Sequence, residues 1–547
     1  MNIAANEATA PSIEQITKEI ADAVRAGHES RALELANAAI ENGLRHPSLF
    51  RARAALHGRQ ERFEEALADL ESACVHAPRD PTLLDAIGHC QTMLNRPHDA
   101  VASFDAAIAV APDFIQAHYR KSVALGMLNK TGEMQQALER VVTLKPDHVD
   151  ALASLALVAA RMGDQSGAKT YGRRAIACKP GHPVARVAMA IADIDGGDIA
   201  SAKSSLSPLL AETHSSRNAR VNMALGYAAD AFDRSGLTAE AFALNTSVNE
   251  WSRAVHLGRF ESQRAFADVE SLISHLPSRV PWADAGRAPD GAAGADGHVF
   301  LLGFPRSGTT LLETVMATHD RLVVSDERDF LEAAANALLR DEIALDRLAA
   351  FAEDDAHIWQ DSYWKAVCES GLDVTGRVFL DKLPLNSLRL PLISRLFPHA
   401  RILLALRDPR DVVLSCFRHR FRVYANSFEF LRIEDCARYY SAVMSLVQLC
   451  RERLTLNLLE CRYEELVDDF DGTVRGICRF VGVDWSDSLR NFSAAAERID
   501  RRSQSAAQVR RGLYKGAIGQ WRRYRPELAP AIPHLQPWIK RFGYPDD

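Results

Sequence analysis

The run VFLLGFPRSGTTLLE, residues 299–313, decides how the second half of this chain is read. It opens as a short apolar segment of the kind that forms a strand buried on both faces. A glycine-bearing loop from Gly303 to Gly308 follows, and a helical pattern begins at Thr309. A strand, such a loop and a helix N-terminus turn backbone N–H groups and the positive dipole end toward one point, which suits an anion. Gly308 lets the backbone approach that anion closely, and the hydroxyls of Ser307, Thr309 and Thr310 can add hydrogen bonds. The two glycines have the spacing of the pattern G-x-x-x-x-G-K-[ST], but Thr309 stands where the lysine belongs and the cation has moved forward to Arg306. That exchange argues against ATP or GTP hydrolysis and for another polyanionic donor. On this motif alone, a purely structural strand-to-helix turn would read the same way.

Working outward, further short apolar runs lie at 378–382, 400–407 and 456–463, separated by amphipathic stretches. Buried strands alternating with helices predict an α/β domain with a mainly parallel sheet over 298–547, its ligands gathered at the carboxyl ends of the strands. The segment LPSRVPWADAGRAPDGAAGADG, residues 276–297, is rich in Pro, Gly, Ala and Asp and reads as a linker, so 252–297 is expected to be a helical connector and flexible joint. A length of 547 residues leaves room for more than this one domain. Charged residues at 25% and hydrophobic residues at 47% exclude wholesale disorder. With 65 basic against 71 acidic residues and a net charge of −6, the molecule as a whole is no basic nucleic-acid binder. No membrane-length apolar run and no basic-then-apolar leader pattern occurs, which predicts a soluble, cytoplasmic protein. Nine cysteines without C-x-x-C spacing predict reduced thiols rather than disulfides or a zinc site, and no metal-ligand cluster is visible.

The first half is periodic. Pro78, Pro112, Pro146 and Pro180 recur at intervals of 34 residues. Within the unit 81–114, Gly88, Ala100, Phe104 and Ala107 occupy small and large packing positions. Unit 47–80 repeats them as Ala54, Ala66, Leu70 and Ala73, and unit 149–182 as Ala156, Ala168 and Ala175. Unit 115–148 fits less well, because Met134 takes a small-residue position. This spacing resembles the tetratricopeptide repeat, which implies an all-α superhelix over 13–251 with a concave groove. The groove is expected to take a peptide or partner protein; a spacer or a homo-oligomerising element remains the alternative.

The second half in turn resembles the sulfotransferase family, particularly the protein-tyrosine sulfotransferases and bacterial repeat-containing sulfotransferases. VFLLGFPRSGTTLLE is similar to that family's 5′-phosphosulfate loop, which implies 3′-phosphoadenosine 5′-phosphosulfate as co-substrate. RILLALRDPRDVVLSCF, residues 401–417, resembles its 3′-phosphate site, with Arg407 at a strand end and Ser415 eight residues on, early in a helix. Guanidinium and hydroxyl are apt for this, one giving a bidentate charge-assisted contact and the other a further bond. The resemblance also implies Glu327 as general base, Lys382 and Arg306 as stabilisers of the transferring and leaving groups, Tyr463 on the adenine side and Ser505 before Gln508 and Val509 as a further catalytic residue. His319 is the rival base.

Two departures are visible. His419, flanked by Arg418 and Arg420, stands where the tyrosine-directed enzymes have a further arginine on the 3′-phosphate, and either neighbour is a candidate substitute. Asp329 replaces an arginine they place near the acceptor, so a tyrosine in an acidic peptide is not assured. A basic cluster, Arg501, Arg502, Arg510, Arg511, Lys515, Arg522, Arg523 and Arg525, is expected to lie over the nucleotide as a lid. The resulting expectation is an enzyme that sulfates a hydroxyl on a peptide, protein or other large acceptor recruited by the repeats. A repeat scaffold whose second half binds nucleotide without turnover is the alternative, and a nucleotide-kinase-like enzyme a more distant one.

Overall fold

The structure, a computed structural model, describes residues 12–211, 217–260, 265–276, 294–351, 353–494, 512–513 and 515–546. By its internal contacts the chain forms two compact units, Met1–Ala211 and Glu212–Asp547.

The first unit is a series of helical hairpins. The first helices of successive hairpins begin at Ile13, Pro47, Pro81, Ile115, Val149 and Pro183, and the second helices at Glu29, Phe63, Pro97, Thr131, Gln165 and Ile199, so both series keep the 34-residue period. Small residues at the repeated positions are what allow the helices to approach. Ala66, Ala100, Ala168 and Ala202 are all buried, and a Cβ added to Gly88 would stand 2.6 Å from the Phe104 ring. The poorly fitting fourth unit is compensated locally: the Met134 sulfur lies 3.4 Å from where a Cβ on Gly126 would be, so a glycine opposite accommodates the larger side chain.

The next hairpin, Ala219–Arg234 and Thr238–Phe260, continues the pattern in sequence but has longer helices of 16 and 23 residues. Where the sequence reading ends the array at 251, the contacts group this hairpin with the second unit. Asn249 Nδ2 donates to the Phe417 carbonyl at 2.8 Å, Arg418 pairs with Asp233 at 2.5 Å and Arg420 with Asp230 at 2.6 Å. The connector contains a further helix, Ala265–His275, and residues 277–293 of the expected linker lie outside the described residues.

The sheet has five parallel strands, β1 (Gly297–Gly303), β2 (Leu322–Val324), β3 (Val378–Lys382), β4 (Arg401–Leu406) and β5 (Asn457–Arg462), in the order β2-β3-β1-β4-β5. Four of the strands coincide with the apolar runs of the sequence. Side chains alternate across β1: Val299 and Leu301 join Leu403, Val315 and Ile477 on one face, while His298 and Phe300 pack with Tyr363 and Phe397 on the other. The chain leaves β1 toward the β2–β3 side, whereas β4 pairs on the opposite side. The strand order therefore reverses between β1 and β4, the place where open parallel sheets of this kind form a ligand crevice. The loops bearing Arg306 and Arg407 leave those two strand ends.

Candidate active site

The loop after β1 is fixed from several directions. Ser387 Oγ donates to the Gly303 carbonyl at 3.0 Å, Cys416 Sγ donates to the Pro305 carbonyl at 3.3 Å, and Arg407 Nη1 donates to the Arg306 carbonyl at 3.1 Å. Gly308 caps helix Thr309–Met316 with φ +99°, and a Cβ there would stand 2.8 Å from Tyr463 Cδ2. Backbone conformation and the Tyr463 ring thus both require glycine. Ser307, Thr309 and Thr310 are buried at the helix start. In the second unit, Arg306 (φ +72°) and Glu327 (φ +44°) are the non-glycine residues held in the left-handed region among those described. Such positions cost about 1–3 kcal/mol each and persist where the surroundings over-determine them.

Arg306 and Arg407 meet in the crevice. Arg306 Nε donates to Ser415 Oγ at 2.9 Å, joining the β1 loop to helix Pro409–Arg418. Burial lowers the Arg306 guanidinium to about 10, with neighbouring Arg407 adding to the effect, and it remains charged at neutral pH. Arg407 is 8% exposed and its cation lies 5.1 Å from the Tyr463 ring centroid. Its Nη2 donates to the Ala517 carbonyl at 2.5 Å, while its buried Nε has no hydrogen-bond partner among the described residues. An orphaned guanidinium N–H at a strand end, beside a helix N-terminus, is the donor chemistry that a phosphate group would satisfy.

At the β3 end, Lys382 is fully buried, with Nζ 2.9 Å from Glu313 and in direct contact with Glu327. Burial alone would lower its pKa, but the two carboxylates outweigh that and raise it, so the ammonium is held charged. Glu313 is 1% exposed, whereas the Glu327 side chain is 44% exposed, so this triad has one sealed and one open end. Behind it, Ser325 Oγ accepts from the Lys382 N–H at 3.0 Å and donates to Asp381 at 3.2 Å, and Tyr363 donates to the same carboxylate at 2.8 Å. Burial raises Asp381 to about 7 despite these bonds.

Glu327, Lys382, Arg306, Arg407, Ser415 and Tyr463 are therefore tied into this crevice through β1, β3, β4 and β5. Ser505 lies outside the described residues, as do Arg501, Arg502, Arg510 and Arg511 of the basic cluster. Of its described members, Lys515 pairs with Asp468 at 3.0 Å and Arg523 with Asp233 at 3.1 Å. From the described part of this segment the Ala517 carbonyl accepts from Arg407, and the Gly519 and Trp521 N–H groups donate to buried Asp411 at 2.7 and 2.9 Å.

Arg418 and Arg420 are turned to Asp233 and Asp230, and burial, with the Arg306 and Arg420 charges adding to it, pushes the His419 imidazole well below its usual range. His319 is committed to structure: its Nδ1 accepts the Arg321 N–H at 3.1 Å and its Nε2 donates to the Asp484 carbonyl at 2.8 Å. Asp329 is clasped by Arg389, with one of the two contacts at 2.7 Å.

Sequence reasoning assigned no role to Glu313, Ser325, Asp381 or Asp411. Two of them carry a readable signal: Asp381 and Lys382 put two charges at the end of an apolar strand, and Glu313 is a lone acid in the run TTLLETVM. A buried charge in such a place needs a partner.

Comparison with known proteins bears on the same region. The sulfotransferase family model matches residues 298–487, so the second half carries a domain of that family. An uncharacterized protein of Aquifex aeolicus is 23% identical over 255 residues, spanning 45% of this chain and 33% of the relative. Protein-tyrosine sulfotransferase 2 of Gallus gallus is 23% identical over 259 residues, spanning 45% of this chain and 69% of its own. The chain thus covers only about a third of the Aquifex relative's length. A tetratricopeptide-repeat protein from Parabacteroides merdae superposes on 44% of this chain and 92% of its own, at 16% identity and a TM-score of 0.36. Among the described residues, no helix is long and apolar enough to cross a membrane, and no cluster of three or more His, Cys, Asp or Glu side chains is arranged to hold a metal ion.

Proposed function

We propose that the second half transfers a sulfuryl group from 3′-phosphoadenosine 5′-phosphosulfate to a hydroxyl on a peptide, protein or other large acceptor, and that the repeat array recruits that acceptor. The observation that carries this reading is that two buried arginines, Arg306 and Arg407, come together at the switch between β1 and β4, Arg407 donating to the Arg306 carbonyl and Arg306 to Ser415. A donor with phosphate at both ends of its nucleoside needs two such anion sites. The residues fit it: backbone and hydroxyls at Ser307–Thr310 and the Arg306 cation suit the phosphosulfate, and the open Nε of Arg407 with Ser415 suits the 3′-phosphate. Tyr463, against both Gly308 and Arg407, fits the adenosine side.

In the reaction the acceptor oxygen attacks sulfur, the bond from sulfur to the bridging phosphate oxygen breaks, and the leaving nucleotide keeps the electron pair. Lys382 and Arg306 neutralise the charge that grows on the transferring and leaving oxygens, and their fixed positions require no reorganisation at that moment. Glu327, half-exposed and oriented by Lys382, accepts the acceptor's proton. The test is calorimetry with adenosine 3′,5′-bisphosphate, followed by labelled-sulfate transfer into a host lysate. Failure to bind the bisphosphate defeats the reading.

A further inference from the structure

Resting on that reading, we infer that the acceptor is seated by a small pocket walled jointly by the Ala219–Phe260 hairpin and the segment after the Ser415 helix. The pocket has a volume of about 120 Å³ and is lined among others by Asn222, Met223, Ser252, His419, Phe421 and Phe430. It takes a neutral group with an apolar body and a hydrogen-bond donor, about one side chain in size.

Asn222 is 5% exposed, and its Oδ1 has no hydrogen-bond partner among the described residues. The amide cannot simply be reversed, because its Nδ2 serves the Val248 carbonyl at 3.1 Å and a carbonyl requires a donor. A buried acceptor left open in this way is costly, and a ligand O–H or N–H would remove that cost. Asn249 and Ser427, also in the lining, are already engaged with the Phe417 and Arg422 carbonyls, so Asn222 sets the polar requirement on the hairpin side. Met223, Val248, Phe421, Phe430 and Leu431 supply the apolar body of the pocket.

Charge narrows the ligand class further. Arg420 lies in the lining, paired with Asp230 at 2.6 Å, and burial, with the Arg306 and Arg420 charges adding to it, pushes the His419 imidazole well below its usual range. The burial that, with these charges, disfavours an imidazolium at His419 disfavours an ammonium ligand beside it as well. Because the ring of Phe430, in the lining, lies 5.6 Å from that of Phe304, two residues before Arg306, a group seated here sits beside the β1 loop. The pocket thus lends the enzyme a specificity wall from a hairpin that, in sequence, continues the repeats.

The probe is p-cresol, a neutral ring with one donor, with tyramine as its cationic counterpart, followed by saturation-transfer NMR on the full chain. The expected result is cresol binding that Asn222→Leu and Met223→Trp each weaken by more than tenfold, with tyramine failing to compete. Met223 is 45% exposed at the pocket mouth, so its substitution tests occupancy without disturbing packing. Absence of cresol binding, equal binding to the wild type and both variants, or competition by tyramine overturns the inference. Adenosine 3′,5′-bisphosphate affinity is measured on the same samples. If it is retained while the pocket result fails, only the pocket is refuted; if the wild type does not bind the bisphosphate, the functional reading itself is refuted.

Discussion

Replacing Lys382 with methionine separates the structural from the chemical service of that residue. The substitution removes an ammonium 2.9 Å from Glu313, and both side chains are almost fully buried. Removing one partner of a buried ion pair typically costs about 3–5 kcal/mol, because the remaining charge has lost its compensation. At about 2–4 °C per kcal/mol for a unit of a few hundred residues, the melting temperature should fall by roughly 6–20 °C. The double variant Lys382→Met/Glu313→Gln leaves no charge at the sealed end and should recover most of that loss. Lys382→Met/Glu327→Gln should recover little, since a pair with one half-exposed partner is worth about 0–1 kcal/mol. Sulfuryl transfer should be lost in all three, because none restores a cation at the leaving oxygens. Scanning calorimetry with labelled-sulfate transfer reads both quantities. A melting point within about 2 °C of wild type for Lys382→Met, or equal recovery by the two doubles, would refute the sealed-and-open description of the triad.

Glu327→Gln should lower transfer about 10²- to 10⁴-fold while bisphosphate affinity changes by less than about twofold, a split that calorimetry and a transfer assay read directly. Gly308→Ala puts a side chain at φ +99° and drives its Cβ to 2.8 Å from Tyr463, so it should weaken bisphosphate binding at least about tenfold and destabilise the unit by about 1–3 kcal/mol. Asp381 titrates at about 7 in the folded protein against 3.8 in its unperturbed state, so the folded state binds the proton more tightly. Its contribution therefore favours folding below about pH 4 and is lost as pH rises through about 7, a change on the order of 4 kcal/mol. Asp381→Asn should remove this slope, and thermal melts between pH 5 and 8 should show the variant gaining on the wild type as pH rises; parallel melting curves would count against it.

The sequence made the fold legible where the signal was local or periodic. Four strands announced themselves as apolar runs, β1, β3 and β4 because both their faces are covered and β5 although it is a partly exposed edge, whereas β2, three residues long, carries too little pattern to be seen. The helix starts of the first unit follow the 34-residue period through Pro183, since every hairpin repeats one packing problem. The candidate site was legible where glycine, arginine and hydroxyls crowd one loop. Its supporting shell was not, because the meaning of Glu313 depends on Lys382, 69 positions away, and that of Asp381 on Tyr363, in a helix 18 positions earlier. The fates of Arg418 and Arg420 were hidden for the same reason: their partners, Asp233 and Asp230, belong to a hairpin that reads as one more repeat.

That hairpin explains how the Arg407 and Ser415 side of the crevice is held in register with the β1 loop. Helix Pro409–Arg418 carries Ser415 onto Arg306, and its last turn leaves carbonyl groups without intrahelical partners. Asn249 donates to one of them, at Phe417, from a fully enclosed position, and Phe242 stacks on the Phe417 ring at 4.8 Å. One residue later Arg418 is pinned by Asp233, which also accepts from the Tyr524 hydroxyl at 2.7 Å. At the other end of the helix, Asp411 receives the Gly519 and Trp521 N–H groups. The helix is thus clamped at its C-terminus by the hairpin and near its N-terminus by the C-terminal segment, while Ser415 lies between the clamps. A hydroxyl that must meet a guanidinium at 2.9 Å tolerates little sliding of its helix, since hydrogen bonds weaken steeply outside their narrow range. The hairpin therefore serves the crevice twice, by fixing the helix that carries Ser415 and by walling the pocket beside His419.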